Sequence, residues 1–407
     1  MTRTLLIDNI GELTTNDESL GDGIGGRIAA AAIIVEGDRV AWVGRAAEAP
    51  AADECFDAAG GAVLPGWVDS HTHMVFAGDR TAEFEARMAG ESYAAGGINV
   101  TVDATRAASD AALAANLERL VVEARRDGTT TMETKTGYGL TVADEVRSAR
   151  VAALHADAVT FLGAHVVPAG ADPADYLELV TGDMLDAVAP LVSAVDVFCE
   201  TGAFDEAQTR RILESAAAKG LATRVHGNQL GHGPGARLAV EHGSLSVDHL
   251  GFLTNDDIDS LAGSWANGGR GTVATVLPAC DLSTRMPLAP ARALLDAGAT
   301  VAIASNCNPG TSYTSSMGFC VATAVLQMGL TVQEAVRAAT LGGAIALGMA
   351  EDGWLDPRGT RQSRVGTLGV GARADLQILT APSVTHLAYR PGMRLTGAVW
   401  RAGERLV

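Results

Sequence analysis

The stretch Pro65-Gly66-Trp67-Val68-Asp69-Ser70-His71-Thr72-His73 closes a short apolar run with two histidines. In extended chain, alternate side chains share one side, so His71 and His73 point the same way and can hold one metal ion. Polar residues at the carboxyl end of an apolar strand are typical of barrel enzymes. The pair alone is weak evidence, because two surface histidines at a strand end give the same pattern.

Eight short apolar runs alternate with helical segments through the middle of the chain. They are Val63–Val68, Thr129–Glu133, Ala158–Leu162, Ala194–Phe198, Ala222–Val225, Leu245–Val247, Thr272–Val276 and Thr300–Ala304. The segment from Asp205 to Lys219 has helical periodicity and ends at Gly220, and Thr331 to Glu334 is a capping box. Buried strands that alternate with helices predict an α/β fold, a parallel (β/α)8 TIM-type barrel.

Both ends of the chain are β-like instead. Runs at Thr4–Ile7, Ala31–Glu36 and Val40–Val43 are matched near the C-terminus by Ala374–Leu379 and Leu395–Trp400. We therefore expect a small β-sandwich domain assembled from residues 1–64 and 366–407, around a barrel that spans residues 65–365.

Composition narrows the classes of function. The 407 residues are 47% hydrophobic and 19% charged, and the net charge is −18. An acidic surface repels phosphate backbones and anionic lipid, so we expect neither nucleic acid nor a membrane as partner. Five dispersed cysteines without CxxC spacing, and an N-terminus without a signal peptide's apolar core, indicate a reduced, cytoplasmic protein.

Further strand ends carry histidines. His226 ends the fifth run, three residues before Gln229, and His249 ends the sixth, while His165 follows the third. A lone histidine in such a place is usually a hydrogen-bonded core residue, but four histidines at three strand ends are hard to explain by packing. The remaining histidines are interpreted as structural; they are His155, His232, His242 and His386.

Two loops that follow predicted strands are further candidates for ligand contacts. The eighth run continues as Ser305-Asn306-Cys307-Asn308-Pro309-Gly310-Thr311-Ser312, and the second as Lys135-Thr136-Gly137-Tyr138-Gly139. Pro and Gly make a rigid turn whose backbone amides can meet a ligand, although an ordinary βα turn looks similar. A tyrosine between two glycines is placed on a tight loop near the barrel mouth.

In this order, these residues resemble the amidohydrolase superfamily: H-x-H after strand one, His after strands five and six, and an acidic residue after strand eight. The closer resemblance is to members that open the imidazolone ring in histidine degradation, and it covers nearly the full chain. The motifs are Asp69-x-His71-Thr72-His73-x-Val75-Phe76-Ala77-Gly78-Asp79-Arg80, Lys135–Leu140, Phe161–His165, Val195–Glu200, Asp248–Leu250 and Asn308–Ser312.

The resemblance implies a metal-dependent hydrolase. It makes His71, His73 and His226 ligands of one divalent ion, zinc or iron, with Asn306 at the remaining ligand position. It makes His249, Gln229 and Asn306 the catalytic positions, His249 acting in its protonated form on the reacting carbonyl. The residues implied to contact substrate are Arg80, Tyr93, Tyr138, His165, Gln229, Asn308, Gly310 and Thr311.

The expected reaction is hydrolysis of the cyclic amide C–N bond of 4-imidazolone-5-propanoate to N-formimino-L-glutamate. Arg80 would grip the propionate as a bidentate pair. The only partner expected besides this small molecule is a second copy of the chain, in a homodimer.

One position departs from the family pattern, which has Asp where this chain has Asn306. An amide can offer a neutral oxygen to a metal but cannot accept a proton near neutral pH. A deliberate replacement, natural drift and a sequence error all remain open as its origin. We expect impaired turnover in this form. The alternatives are a catalytically inactive metabolite-binding relic and another amidohydrolase, such as a deaminase.

Overall fold

The computed structural model describes residues 3–90, 97–266 and 268–407. The N-terminal part of the chain forms strands of a β-sheet. The first strands are β1 (Thr4–Thr14), β2 (Arg27–Glu36), β3 (Arg39–Arg45), β4 (Glu54–Asp57) and β5 (Ala62–Pro65). The turn between Glu36 and Arg39 joins β2 and β3 as an antiparallel hairpin, as its Gly-Asp sequence predicts.

Eight parallel strands form the centre of the molecule. They are β6 (Trp67–Asp69), β7 (Thr129–Lys135), β8 (Ala158–Ala164), β9 (Ala194–Cys199), β10 (Ala222–Gly227), β11 (Ser246–His249), β12 (Val273–Val276) and β13 (Val301–Ile303). Each pairs with the next in sequence order. The first and last meet at their carboxyl ends, where Asn306 N donates to His71 O at 3.0 Å and His73 N donates to Cys307 O at 2.9 Å. The predicted parallel barrel is confirmed.

Helices surround these strands and fill the connections between them. They are α1 (Thr81–Met88), α2 (Ile98–Ala107), α3 (Asp110–Arg126), α4 (Val142–Ala152), α5 (Pro173–Thr181), α6 (Asp183–Val188), α7 (Glu206–Ala218), α8 (Gly235–Glu241), α9 (Asn255–Gly263), α10 (Pro278–Thr284), α11 (Ala291–Asp296), α12 (Met317–Gln327), α13 (Val332–Arg337), α14 (Gly343–Leu347) and α15 (His386–Tyr389). The predicted capping box of Thr331 and Glu334 opens α13. None of the helices in the described ranges is long and apolar enough to cross a membrane.

The prediction of one strand over Val63–Val68 is wrong. Val63 pairs with β1 and with a C-terminal strand, whereas Trp67 and Val68 pair with β7 of the barrel. Gly66 separates the two parts, and a Cβ there would lie 2.3 Å from the Thr130 side chain. The apolar run is continuous because both halves are buried, so its sequence does not reveal that it serves two sheets.

The chain's two ends share one sheet, as predicted. A short separate hairpin consists of β14 (Trp354–Leu355) and β15 (Arg361–Gln362). The C-terminal strands β16 (Leu376–Leu379), β17 (Thr396–Arg401) and β18 (Glu404–Arg405) then join the N-terminal sheet. The strand order is β18-β17-β16-β5-β1-β2-β3, and β4 also pairs with β1. The sheet curls far enough for the backbones of Arg39 and Arg373 to pair in an isolated antiparallel β-bridge. Its inner face packs a separate core that includes Ile7, Ile33 and Trp400. The division at residues 64 and 365 remains a prediction.

A buried group of charges joins this sheet to the bottom of the barrel. Arg373 donates to Asp375 at 2.6 Å and to Thr131 Oγ1 of β7 at 2.7 Å. Asp157, just before β8, accepts from Arg401 at 2.9 Å and lies 3.4 Å from Arg373. These contacts hold the strand ends opposite to the barrel mouth.

Candidate metal and substrate site

Three imidazole nitrogens meet at the mouth of the barrel. His73 Nε2 lies 3.2 Å from His71 Nε2 and 3.3 Å from His226 Nε2. Residues 71 and 73 follow β6 and His226 lies near the end of β10, so strands on opposite sides of the barrel supply them. The ring nitrogens of His71, His226 and His249 also lie within 4.8 Å of one another. The three predicted ligands therefore share one point.

For two of these histidines, a carboxylate bound to Nδ1 fixes Nε2 as the nitrogen that faces the other histidines. His71 Nδ1 lies 2.7 Å from Asp248 Oδ2, and His226 Nδ1 lies 3.0 Å from Asp196 Oδ1. A carboxylate on Nδ1 keeps the proton there and leaves Nε2 as a free electron pair, which is the arrangement of metal-binding histidines. Lys135 Nζ lies 2.9 Å from Asp196 Oδ2 and so orients that carboxylate in turn.

The histidines are in the protonation state that a metal requires. Burial, with the neighbouring cationic groups, lowers the pKa of His71, His73 and His226 well below its usual value. They are therefore neutral near pH 7, and a neutral imidazole offers an electron pair. His73 Nδ1 is buried and has no hydrogen-bond partner within the described ranges. Three neutral, converging imidazoles, two of which have a carboxylate on Nδ1, fit a divalent ion.

Asn306 stands beside these histidines, just beyond β13. Its side-chain Oδ1 is buried without a hydrogen-bond partner among the residues described, while Nδ2 donates to Thr311 Oγ1 at 3.4 Å. The backbone of Asn306 is in the left-handed region (φ 52°). An amide oxygen left unpaired in the protein interior costs free energy, which a ligand on that oxygen would recover.

His249 completes the ring of histidines. Its ring centroid lies 5.6 Å from that of His71 and 5.2 Å from that of His226. The backbone φ is +86°, which is rare for a residue with a Cβ and clusters at functional sites. Burial lowers the pKa of His249 to about 4, although Asp248 and Asp196 oppose the shift. The predicted protonated form is therefore disfavoured near pH 7.

A pocket opens above the histidines. The predicted residues that line it are His73, Arg80, Tyr138, His165, His226, Gln229, His249, Asn306, Asn308 and Thr311. Gly310 lies just outside, and a Cβ there would be 2.1 Å from Arg80 Nη1. Tyr93 lies outside the described residues. Most of the predicted site residues therefore line one pocket, beside the point where the histidine nitrogens converge.

Arg80 already has an anionic partner in the protein, a contact that sequence alone did not predict. Its Nε and Nη2 donate to Glu83 Oε2 at 2.8 and 2.6 Å, and Nη2 also reaches Oε1 at 2.7 Å. Arg87 lies 3.5 Å from Glu83 and also donates to Gly310 O at 3.2 Å. Arg80 is therefore held in place by Glu83 beside the 308–311 loop.

The Gly137–Gly139 loop is pinned from below by one carboxylate. Glu145 of α4 accepts from the backbone N–H groups of Gly137 at 3.0 Å, Gly139 at 2.8 Å and Leu140 at 2.7 Å. The ring of Tyr138 on this loop lies 5.5 Å from that of His165. His165 in turn lies 3.0 Å through Nδ1 from Gly137 O, so the loop and the histidine form one wall.

Two further contacts hold other parts of the pocket lining. Gln229 N donates to Glu200 Oε1 at 2.5 Å, which fixes the chain after β10. Asn308 Oδ1 accepts from the backbone N–H groups of Gly310 and Thr311, each at 2.8 Å. The Pro-Gly turn is therefore held by its own asparagine, as Asx residues do in loops.

Comparison with known proteins agrees with this geometry. Residues 62–395 match the family model described as "Amidohydrolase family". The chain is 64% identical to the imidazolonepropionase of Saccharopolyspora erythraea, covering 100% of this chain and 99% of that protein. The chain belongs to the imidazolonepropionase family. The imidazolonepropionase of Paenarthrobacter aurescens is 62% identical, with 99% and 98% of the two chains covered.

Solved structures with lower identity share the fold with this imidazolonepropionase family member. An adenosine deaminase from Xanthomonas campestris, solved with bound zinc, aligns with a TM-score of 0.71 at 22% identity and covers 98% of this chain and 92% of its own. A triazine hydrolase variant also aligns with a TM-score of 0.71, at 18% identity and with 99% and 94% coverage. At this identity the likeness concerns the fold alone.

The residues that support the site were not predicted from the sequence to have a role there. They are Glu83, Glu133, Lys135, Glu145, Asp196, Glu200 and Asp248. Several stand inside the motifs that carry the resemblance, and a charged residue within a buried strand was the available signal. A charge in an apolar run is rarely buried unless it is paired, so Lys135 and Asp196 pointed to a network.

Proposed function

We propose that this chain hydrolyses the cyclic amide C–N bond of 4-imidazolone-5-propanoate and releases N-formimino-L-glutamate. The observation that carries the proposal is the convergence of three buried, neutral imidazole nitrogens at one end of a pocket that Arg80 lines. Full-length relatives that are 54–64% identical bear the name imidazolonepropionase. Ring opening of such an amide needs a strong nucleophile at neutral pH.

His71, His73 and His226 would hold one divalent ion, zinc or iron, with Asn306 Oδ1 as a further oxygen donor. When bound, such an ion lowers the pKa of water to about 7 and so provides the nucleophile. Asp248 and Asp196 keep His71 and His226 in the tautomer that leaves Nε2 free.

Substrate orientation falls to residues on the pocket walls. A positively charged Arg80 draws the propionate toward the 308–311 loop, while Tyr138 and His165 flank the ring. In its neutral form, His249 still donates through one N–H, so it can stabilise the oxygen on which negative charge develops. Gln229 contacts the ring nitrogen side through its amide. Tyr93 stays a proposed substrate contact on resemblance alone.

Proton transfer is the step that Asn306 weakens. A carboxylate at this position would take the proton from water and return it to the leaving nitrogen. The asparagine amide does neither, so the chain binds substrate and opens the ring slowly.

The test is the Asn306→Asp variant, compared with the chain as given at equal metal content. We expect kcat to rise at least about tenfold, since a general base contributes typically 100-fold or more. If restoring the carboxylate gives no rate above that of metal-free protein, the hydrolase proposal fails and a binding relic is favoured. Ammonia release with the ring intact would instead indicate a deaminase.

The assembly and compartment are part of the same proposal. We expect a homodimer, which light scattering of the purified protein would measure. We also place the protein in the cytoplasm, where the five unpaired cysteines would remain reduced.

A further inference from the structure

Behind the wall of the pocket lies a second group of side chains that are typical metal ligands. A ring nitrogen of His249, the sulfur of Cys280 and a carboxylate oxygen of Asp281 all lie within 4.8 Å of one another. Their exposed fractions are only 2%, 1% and 3%. Nitrogen, sulfur and oxygen donors at such spacing form the ligand set of zinc-type sites.

The fold brings these residues together at the barrel mouth. His249 ends β11, and β12 is its parallel neighbour; Cys280 and Asp281 follow in the first turns of α10. Asn306 and Thr311, which line the main pocket, approach the Cys280 thiol closely enough to hydrogen bond with it. Asn306 and Thr311 are therefore shared between the lining of the main pocket and the surroundings of the second group.

Two members of the group have few hydrogen-bond partners within the described structure. Within the described part of the chain, the Asp281 carboxylate has one hydrogen bond, from Ala289 N at 3.3 Å, and no ion pair. His249 Nδ1 is buried without a hydrogen-bond partner there. Burial raises the pKa of Asp281 to about 8. The carboxyl therefore keeps its proton while the group is empty, and a bound cation would replace that proton as the positive partner.

We propose that His249, Cys280 and Asp281 form an auxiliary site for a thiophilic divalent cation such as Zn²⁺ or Cd²⁺, beside the three-histidine site. The thiol proton leaves to solvent when the sulfur binds the ion. A thiolate selects soft ions, so this site differs in preference from the neighbouring site of imidazoles and an amide. Occupancy also takes His249 away from the substrate and slows ring opening, a consequence that rests on the proposed function.

The experiment is a titration of Cd²⁺ into protein that already holds one equivalent of its resident ion. The exposed Cys55 is first replaced by serine, because a surface thiol would also bind cadmium. We expect an ultraviolet thiolate-to-cadmium charge-transfer band that saturates at one further equivalent. Exchange of cadmium into the three-histidine site gives no such band, since it contains no sulfur.

Variants locate the sulfur. Cys280→Ser and Cys280→Ala should abolish the band, and Asp281→Asn should weaken the apparent affinity at least about tenfold. Cys199→Ser is the matched control, because Cys199 is also a buried cysteine but lies at the end of β9, outside the second group; it should leave the band unchanged.

A parent protein that takes up no second equivalent, or takes it up without the band, overturns the proposal whether or not the variants fold. So does a band that survives both Cys280 replacements or that Cys199→Ser removes. Failure of the proposed ring opening would leave the band intact, so the two outcomes are distinguishable.

Discussion

Arg80 shows how one side chain can serve both the protein and an anionic substrate. Its guanidinium is almost fully buried and is held by Glu83, yet it also lines the pocket. Because Glu83 is 29% exposed, it can remain solvated when a propionate takes up the free face of the guanidinium. The sequence predicted the arginine and its ligand; the residue that orients it was not predicted.

For Arg80→Ala we expect substrate binding to weaken by roughly 2–4 kcal/mol, the scale of breaking a buried charge pair. The measurement is KM for 4-imidazolone-5-propanoate at constant metal content. Arg126→Ala, an exposed change on α3, is the control and should leave KM unchanged. Equal KM values for the two variants would show that another group binds the carboxylate.

Asp281 should make stability depend on pH in metal-free protein. Its pKa of about 8 lies above the ordinary 3.8, because burial disfavours the charged form. Below about pH 4 the carboxyl is protonated in the folded and unfolded states alike and costs nothing. As pH rises toward 8, the unfolded chain ionises first, so the folded protein loses stability.

We therefore expect Asp281→Asn to be more stable than the parent by about 2–5 kcal/mol at pH 8.5 in the presence of chelator. The two proteins should be equally stable near pH 4. Urea denaturation at several pH values measures the difference. A difference that does not change with pH would mean that Asp281 ionises normally in the folded protein.

Among the secondary-structure elements, the positions of the barrel strands were easier to predict than the sheet that a strand joins or the side chains that contact the loops. Seven of the eight apolar runs became single barrel strands, because burial on both faces leaves an uninterrupted apolar signature. The first run failed for the same reason, since Gly66 divides it between two sheets without any loss of hydrophobicity. Side chains such as Glu145 act across the loops, and nothing in local sequence specifies such a contact.

We expect Glu145 to hold the Gly137–Gly139 loop in the position that orients substrate. Both of its oxygens accept backbone hydrogen bonds, so an amide would turn a donor toward a donor. We expect Glu145→Gln to raise KM roughly tenfold, because displacement of a positioning loop misorients substrate. Steady-state kinetics measure it.

Asp144→Asn on the same helix is the control, since Asp144 bonds Thr141 and Arg147 rather than the loop. If both variants raise KM to the same degree, general loosening of α4 and not the loop contact is responsible.

At the scale of the whole molecule, the chain's two ends close one sheet under the barrel. Arg373, Asp375, Asp157 and Arg401 form the buried charged contact between this sheet and the barrel. The β-like runs at both ends of the chain predicted one small β domain, and the strands of both ends do share one sheet. The charged junction was not predicted, because its members are far apart in sequence.

Removal of Arg373 should destabilise the fold and spare the site. Arg373→Met leaves the buried Asp375 without its main partner and Asp157 with Arg401 alone, so we expect a loss of about 3–5 kcal/mol in unfolding free energy. Arg39→Met, at an exposed arginine of the same sheet, should cost little. Equal denaturation midpoints for these two variants would contradict the role given to the junction, whereas kcat/KM of the folded protein should match the parent in both.

We propose that three histidines at the barrel mouth hold the ion that makes ring opening possible. The most direct measurement follows the opening of 4-imidazolone-5-propanoate by protein as purified, after chelation, and after return of one equivalent of zinc or iron. We predict that N-formimino-L-glutamate forms only with metal bound, that its rate returns with one equivalent, and that His73→Ala neither binds the ion tightly nor recovers. An undiminished rate in metal-free protein would contradict the account.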